Sequence, residues 1–335
     1  MQRKGKSRSV SIVDVARMAG VSHQTVSRVL NRPESVRPAT LAAVEQAIAS
    51  TGYHRNENAR ALKSAASNCI GILTPDTNEY GPSRILWEVE KAASEQGFFV
   101  KTALLRNTHS YDVSRSVDKL LGFDIAAIVI IATETWVESA VQAVVDLPIV
   151  SIGSSRVNTP GIAVVDVDQK LGVRMVLDHL VCQGAGRVDH IAGPKGWYSS
   201  EERLEGWLDA EARHHLTAGR LYRGDWSEAS GYAAGCELAL DLPDAVFAAN
   251  DQMAMGLVRA LYEKGISVPS KVLVAGFDDV TMCSYTIPAL TSLRQDFSLI
   301  GRQAVSCVMS MVAGSSATRF LSRPQLIVRE STRHG

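Results

Sequence analysis

The chain has 335 residues, is 46% apolar, and carries 35 basic against 35 acidic side chains for a formal net charge of zero. That composition can bury a large core and predicts a split into two or three domains. It excludes a membrane-spanning protein, since no run approaches the roughly 18 apolar residues of a span. The start, MQRKGKSRSV, is basic but leads into no apolar signal-peptide core, so a cytoplasmic protein is expected. The five cysteines, Cys69, Cys182, Cys236, Cys283 and Cys307, are scattered and form no CxxC pair. Buried, reduced thiols are expected rather than a disulfide or metal site.

Zero net charge hides an asymmetry. Residues 1–64 hold eleven Lys/Arg against four acids, a surplus of seven that the remainder cancels. A basic head on an acidic body points to a polyanion partner for the head alone. Three short helices can be read in this head. From Ser11 to Met18, Ile12, Val15, Ala16 and Ala19 fall at helical spacing, with Ser11 able to cap. Gly20 tolerates the left-handed backbone of a tight turn. Ser22 caps the next helix, VSHQTVSRVLN, whose inward set is Val26, Val29 and Leu30. A third helix opens with Pro38, buries Leu41, Val44 and Ile48, and stops near Gly52.

Helix, short glycine turn and helix make a helix-turn-helix. Gln24 and Arg28, four apart, share the outward face of the second helix with His23, Ser27 and Asn31. Glutamine suits the edge of adenine, and arginine binds guanine bidentately. Thr25, Ser27 and the amides at the helix start suit phosphates.

The segment SIVDVARMAGVSHQTVSRVLN resembles the head of the lactose-repressor (LacI) family of bacterial transcription regulators. The resemblance runs on through GYHRNENARALKSAASNCIGILTPD, GDWSEASGY, AVFAANDQMAMGL, VLVAGFDD and IPALTSLRQDF, and so covers nearly the whole chain. It implies a head over 1–55, a hinge helix and linker over 56–68, and an effector-binding and dimerisation core over 69–335. His23 departs from a tyrosine usual among close relatives, which implies an operator differing by a base.

On its residues alone the hinge is a stretch of about two helical turns, unstable by itself in water and expected to fold only against a partner. There Leu62 reads as a linker residue packed on the core. The resemblance instead implies that Asn56, Ala59 and Leu62 meet DNA, with Leu62 a minor-groove wedge.

From Cys69 onward, apolar runs at 70–73, 126–132, 149–152, 163–167, 188–192, 245–248 and 272–275 alternate with amphipathic stretches such as 83–96 and 201–212. This pattern predicts a parallel α/β sheet covered on both faces. There are too many units for one compact half. The resemblance implies two lobes of periplasmic-binding-protein type, crossed near Asp168, Asp296 and Pro324. A shared cleft then lies at the carboxyl ends of the strands.

Asn250 and Asp278 follow strands and offer polar groups there, Arg203 begins a helix after GPKGWYSS, and Trp226 offers a flat face for a sugar ring. The resemblance places Ser199, Arg203, Trp226, Asn250, Asp278, Gln295 and Phe297 at the effector, with Pro82 and Ile85 closing the far lobe. Phe297 reads equally as core, Asp279 as a helix cap, and either Asp166 or Asp168 could reach the ligand.

Asp278 and Asp279 are chain neighbours and need not flank a bond as a glycosidase pair would. No GxSxG, HExxH or P-loop appears. A sugar-responsive, DNA-binding repressor is therefore expected, without enzyme activity or cofactor. Its partners would be double-stranded operator DNA, a small sugar of galactoside type and a second copy of the chain, with no membrane. The end, RESTRHG, carries no heptad run, so a dimer is expected rather than the tetramer bundle known in the family. The alternative is a periplasmic-type sugar-binding protein without DNA function.

Overall fold

A computed structural model describes residues 10–51, 67–106, 109–144, 146–153 and 156–333. Contacts divide the chain into two compact units, one ending at Ala66 and the other beginning at Ser67. The hinge positions Asn56, Ala59 and Leu62 lie outside the described residues.

The first unit holds α1 (Ile12–Ala19), α2 (His23–Asn31) and α3 (Pro38–Thr51). Ser11 caps α1 in a reciprocal box: its hydroxyl accepts from the Asp14 amide, and Asp14 accepts from the Ser11 amide at 2.9 Å. Gly20 ends α1 at φ +64°, where a side chain would be strained. Val15, Ala16, Val26, Val29, Val44 and Ala47 form the core, with Leu30, Leu41 and Ile48 packed at its rim.

The second unit has two lobes. The first lobe contains β1 (Cys69–Pro75), β2 (Phe99–Leu105), β3 (Ala127–Ile131), β4 (Ile149–Ile152), β5 (Ile162–Val167) and, from far along the chain, β11 (Arg319–Ser322). They form one parallel sheet in the order β2-β1-β3-β4-β5-β11. On one face, α4 (Tyr80–Glu95) and α11 (Phe297–Val312) bury Val89, Ala93, Ile300 and Ala304 against Ile70, Ile72 and Val129. On the other, α5 (Ser110–Leu121) and α6 (Trp136–Ala143) cover Leu73, Ile128 and Ile130. Burial on both faces is why these strands read as unbroken apolar runs.

The second lobe repeats the plan with β6 (Val188–Ala192), β7 (Leu221–Arg223), β8 (Ala245–Ala248), β9 (Leu273–Asp278), β10 (Thr291–Arg294) and β12 (Gln325–Ile327). Their order is β7-β6-β8-β9-β10-β12, with β12 alone antiparallel. One face carries α9 (Glu228–Leu238) and α10 (Asp251–Glu263), the other α7 (Gln169–Cys182) and α8 (Tyr198–His214). The chain passes between lobes at 167–169, 294–297 and 322–325, the three crossings expected at Asp168, Asp296 and Pro324. All five cysteines are free, but of the buried thiols expected only Cys283 and Cys307 are buried; Cys69 and Cys236 are half-buried and Cys182, at the end of α7, is exposed. Among the described residues no helix is long and apolar enough to cross a membrane.

Candidate functional site

In the head, the Ser22 hydroxyl accepts from the Thr25 amide at 3.1 Å and fixes where α2 begins. Val26 and Val29 are buried, so the side chains of His23, Gln24 and Arg28 are exposed on the opposite side. The Thr25 hydroxyl is only half available, because it pairs with the Ser22 hydroxyl at 2.9 Å. Ser27 is half-buried, and Asn31 closes the helix.

Between the lobes lies a cavity of about 590 Å³ including its open mouth. Of the residues expected at the effector, Pro82, Ile85, Ser199, Arg203, Gln295 and Phe297 line it. Trp226, Asn250 and Asp278 do not. Trp226 packs its ring tightly on Gly193 and edge-on to Trp197, which takes its place in the lining. The Asn250 amide donates to the Trp226 carbonyl at 2.8 Å, and its oxygen accepts from the Met253 amide at 2.9 Å, capping α10. Asp278 sits behind Arg203 and Gln295, accepting from Gln295 Nε2 at 2.5 Å and lying 3.7 Å from the Arg203 guanidinium.

Arg203 is the hinge-pin of the second-lobe wall. It lies in the second turn of α8 rather than at its start, and is 4% exposed. Its Nε donates to Gln169 Oε1 at 2.9 Å, one terminal nitrogen donates to the Ala249 carbonyl, and its plane stacks on Phe277 at 3.7 Å. Burial pulls this guanidinium down from its usual range, against the opposing pull of Asp278. Burial likewise pushes the Asp278 carboxyl up, while Arg203 and Gln295 hold it back. Asp251, next to Asp278 and fully buried, is raised by burial and by that neighbouring charge.

Asp166 and Asp168 part company where β5 ends and α7 begins. Asp166 lines the cavity, whereas Asp168 turns away and caps α7 by accepting from the Leu171 amide at 2.9 Å. Asp279 caps nothing; it is paired with Arg294 and Arg329 at 2.6 and 2.7 Å. Phe297 serves both readings, lining the cavity and meeting Tyr80 edge-on at 5.8 Å.

Thr133, Gln169, Trp197 and Glu202 are among the lining residues that were not foreseen. Thr133 follows the apolar run that ends at Ala132, so the rule that ligands sit beyond carboxyl strand ends could have found it. Gly153, after β4, completes the floor at φ +81°, and a Cβ there would lie 3.0 Å from the Ala132 carbonyl oxygen. Gly153→Val is therefore expected to cost about 1–2 kcal/mol through the left-handed backbone and to narrow the cavity. Urea denaturation checks the first effect; a variant as stable as wild type would show that the backbone relaxes there.

The lobes also touch directly. The Tyr198 amide donates to the Thr133 carbonyl at 2.8 Å, and Arg156 of the first lobe binds Glu205 of the second at 2.5 Å. Glu205 in turn holds Lys170 at 2.9 Å.

A regulator's head and a two-lobed ligand core in one chain define the class. The family model described as bacterial regulatory proteins, lacI family, matches residues 11–56, and that for a periplasmic binding protein-like domain matches 177–332. The chain is 31% identical over 327 residues to the lactose operon repressor of Escherichia coli (strain K12), covering 96% of this chain and 90% of that one. It is 32% identical to the HTH-type transcriptional regulator CelR of Thermobifida fusca, covering 95% of this chain and 96% of that one. The crystal structure of the lac repressor dimer bound to operator and the anti-inducer ONPF matches with a TM-score of 0.86 at 30% identity, over 97% of this chain and 99% of that one. The chain thus belongs to the lacI family of bacterial regulatory proteins and is a DNA-binding transcription repressor. These relatives are transcriptional regulators, not enzymes.

Proposed function

We propose that the chain is a cytoplasmic, homodimeric repressor released from its operator by a small sugar, a galactoside or related pyranoside. The observation that carries this is the inter-lobe cavity. Its first-lobe wall is apolar, with Pro82, Ile85 and Ile131, and suits the C–H face of a ring. Its second-lobe wall brings Ser199, Arg203 and Gln295 together as partners for adjacent hydroxyls. Trp197, not Trp226, offers the aromatic surface. Among relatives, the lac repressor has been solved with ONPG and CelR with cellobiose. A purine would want aromatic groups on both faces of a flat base.

A second copy has an apolar surface to cover. Tyr262, Met282, Tyr285 and Ile287 are exposed around a recess that Met255, Val258 and Leu290 line, and Ile287 is 93% exposed. A patch of this kind suits an isologous contact. Two copies of α2 then demand a near-palindromic operator. The sugar would favour a lobe arrangement in which the two hinge segments no longer meet, so that the Leu62 wedge is lost. It can shift that equilibrium only by its differential affinity for the two states. A sugar-binding protein without DNA function would leave the basic head without a role.

A sugar panel tests the reading. At 100 times its dissociation constant the effector should stabilise the protein by about 2.7 kcal/mol, seen as a rise in melting temperature, and should release operator DNA at the same concentration. Stabilisation by a nucleobase and by no sugar would overturn it.

A further inference from the structure

Two neighbouring aromatic residues at the start of α8 bury in opposite lobes. Trp197 packs against the second-lobe core that contains Ile191, Trp226 and Ala248. Tyr198, 8% exposed, belongs to the first-lobe core with Leu73, Ile130, Ala132 and Trp136. The rest of α8 is fastened to the second lobe. Trp207 Nε1 donates to the Val188 carbonyl at 3.0 Å, and at Gly206 the helix comes so near α7 that a Cβ would lie 3.0 Å from Val173 Cβ. Tyr198 is therefore a second-lobe residue whose side chain is lodged in the other lobe. Its amide follows it, donating to the Thr133 carbonyl.

Further along α8 a second contact closes the same boundary. Arg156, between β4 and β5 of the first lobe, reaches Glu205 at 2.5 Å and Glu202 at 3.7 Å, while Lys170 of α7 holds Glu205 at 2.9 Å. Glu205 is thus gripped from both lobes and keeps both cations only while the lobes stay together.

The magnitudes rank these contacts. The side chains of Arg156, Glu205 and Lys170 are 40%, 43% and 51% exposed, so water and salt screen them and each pair adds little. Tyr198 withdraws a large ring from water, so the larger share of the closing free energy lies with it. Every one of these contacts has protein atoms at both ends, so none of them needs a ligand to form.

We infer that Tyr198 and the Arg156–Glu205 pair form a clasp that holds the sensor core closed without effector, with Tyr198 as its anchor and the ion pair as a salt-sensitive outer latch. The inference goes beyond the sugar reading and does not depend on the effector's chemistry. Such a clasp sets the fraction of chains whose cavity walls are already assembled, and apparent effector affinity scales with that fraction.

The Tyr198 amide tests the clasp directly. The first amides of a helix have no intrahelical acceptor, so its protection from hydrogen exchange comes from the Thr133 carbonyl across the boundary. Exchange resolved to single amides, on the full chain with no sugar added, should find it slowed about 30-fold or more relative to an open chain, as burial of the tyrosine ring implies. Tyr198→Ala keeps the amide and should lose most of that protection. Arg156→Ala should speed exchange about two- to five-fold, and about 0.5 M salt should do the same to wild type but not to the variant. Amides of β3 and β8 should keep their wild-type rates in Arg156→Ala, because the opening is local to the lobe boundary. The inference falls if the wild-type Tyr198 amide exchanges at the open-chain rate, or if Arg156→Ala and salt both leave it unmoved. Should Tyr198→Ala fail to fold, the Arg156→Ala and salt measurements decide alone.

Discussion

Arg203→Met is expected to destabilise the sensor core by about 3–5 kcal/mol, the range for breaking a buried ion pair from one side. The substitution keeps much of the side chain's volume over Phe277 but removes every polar contact. Gln169 Oε1, the Ala249 carbonyl and Asp278 lose their donor together. Asp278, 7% exposed, then keeps only the Gln295 amide. Two controls separate this electrostatic cause from a packing defect. In the Arg203→Met background, Asp278→Asn should restore much of the loss, because the uncompensated charge is gone.

The pH dependence gives the second control. Burial already raises the Asp278 carboxyl, and Arg203 opposes that rise. Without Arg203 the folded-state carboxyl climbs further above its unfolded value. Between those two values the folded chain binds more protons than the unfolded one, so stability falls as pH rises through the window and then levels off. The deficit relative to wild type should therefore be larger at pH 7.5 than at pH 5. Urea denaturation at both pH values measures it. Equal deficits, with no recovery by Asp278→Asn, would assign the loss to packing. The sugar response should vanish in either case, since Arg203 lines the cavity.

The same residues show what could be read in the sequence. Strands buried on both faces, such as β3 with Ile128, Val129 and Ile130, announce themselves as apolar runs. β2 does not: it is an edge strand, largely exposed, and its FVKTALL pattern blends with a loop. β10 is buried but polar, TSLR, because Thr291 and Ser292 bond to Ser331, Thr332 and Asp251. Arg203 was legible as a charged residue after a glycine-bearing loop, whereas Ser199 and Gln295 came only from the family resemblance; all three line the cavity. Depth was not legible. Nothing local in the sequence says that Asn250 gives its amide to Trp226, or that Asp278 pairs with Arg203 and Gln295 behind the cavity lining. Asp166 and Asp168 are two residues apart, and only the point where β5 gives way to α7 decides which one caps a helix. In the head the reading was closest to complete, because one helical turn relates cap, core and exposed face.

That head carries the other large effect. Arg28→Ala is expected to weaken operator binding by about 1–3 kcal/mol and to relax preference at one base pair. Ser22 fixes the start of α2, and Val26 and Val29 fix its inward face, so Gln24 and Arg28 project from the opposite side one turn apart. Neither belongs to the head's core cluster, and alanine is a strong helix former, so the fold should survive the change. A base contact and a phosphate contact predict different results. Loss of a guanine contact lowers affinity for an operator selected by the wild-type protein far more than for random duplex, and leaves the salt dependence nearly unchanged. Loss of a phosphate contact weakens both duplexes alike and lowers the slope of log affinity against log salt by about one. Fluorescence anisotropy on both duplexes across a salt series distinguishes them, with a thermal melt of the variant to show that the head remains folded. Equal weakening on the two duplexes would move Arg28 from the base edge to the backbone and leave Gln24 as the remaining candidate for direct readout on this face.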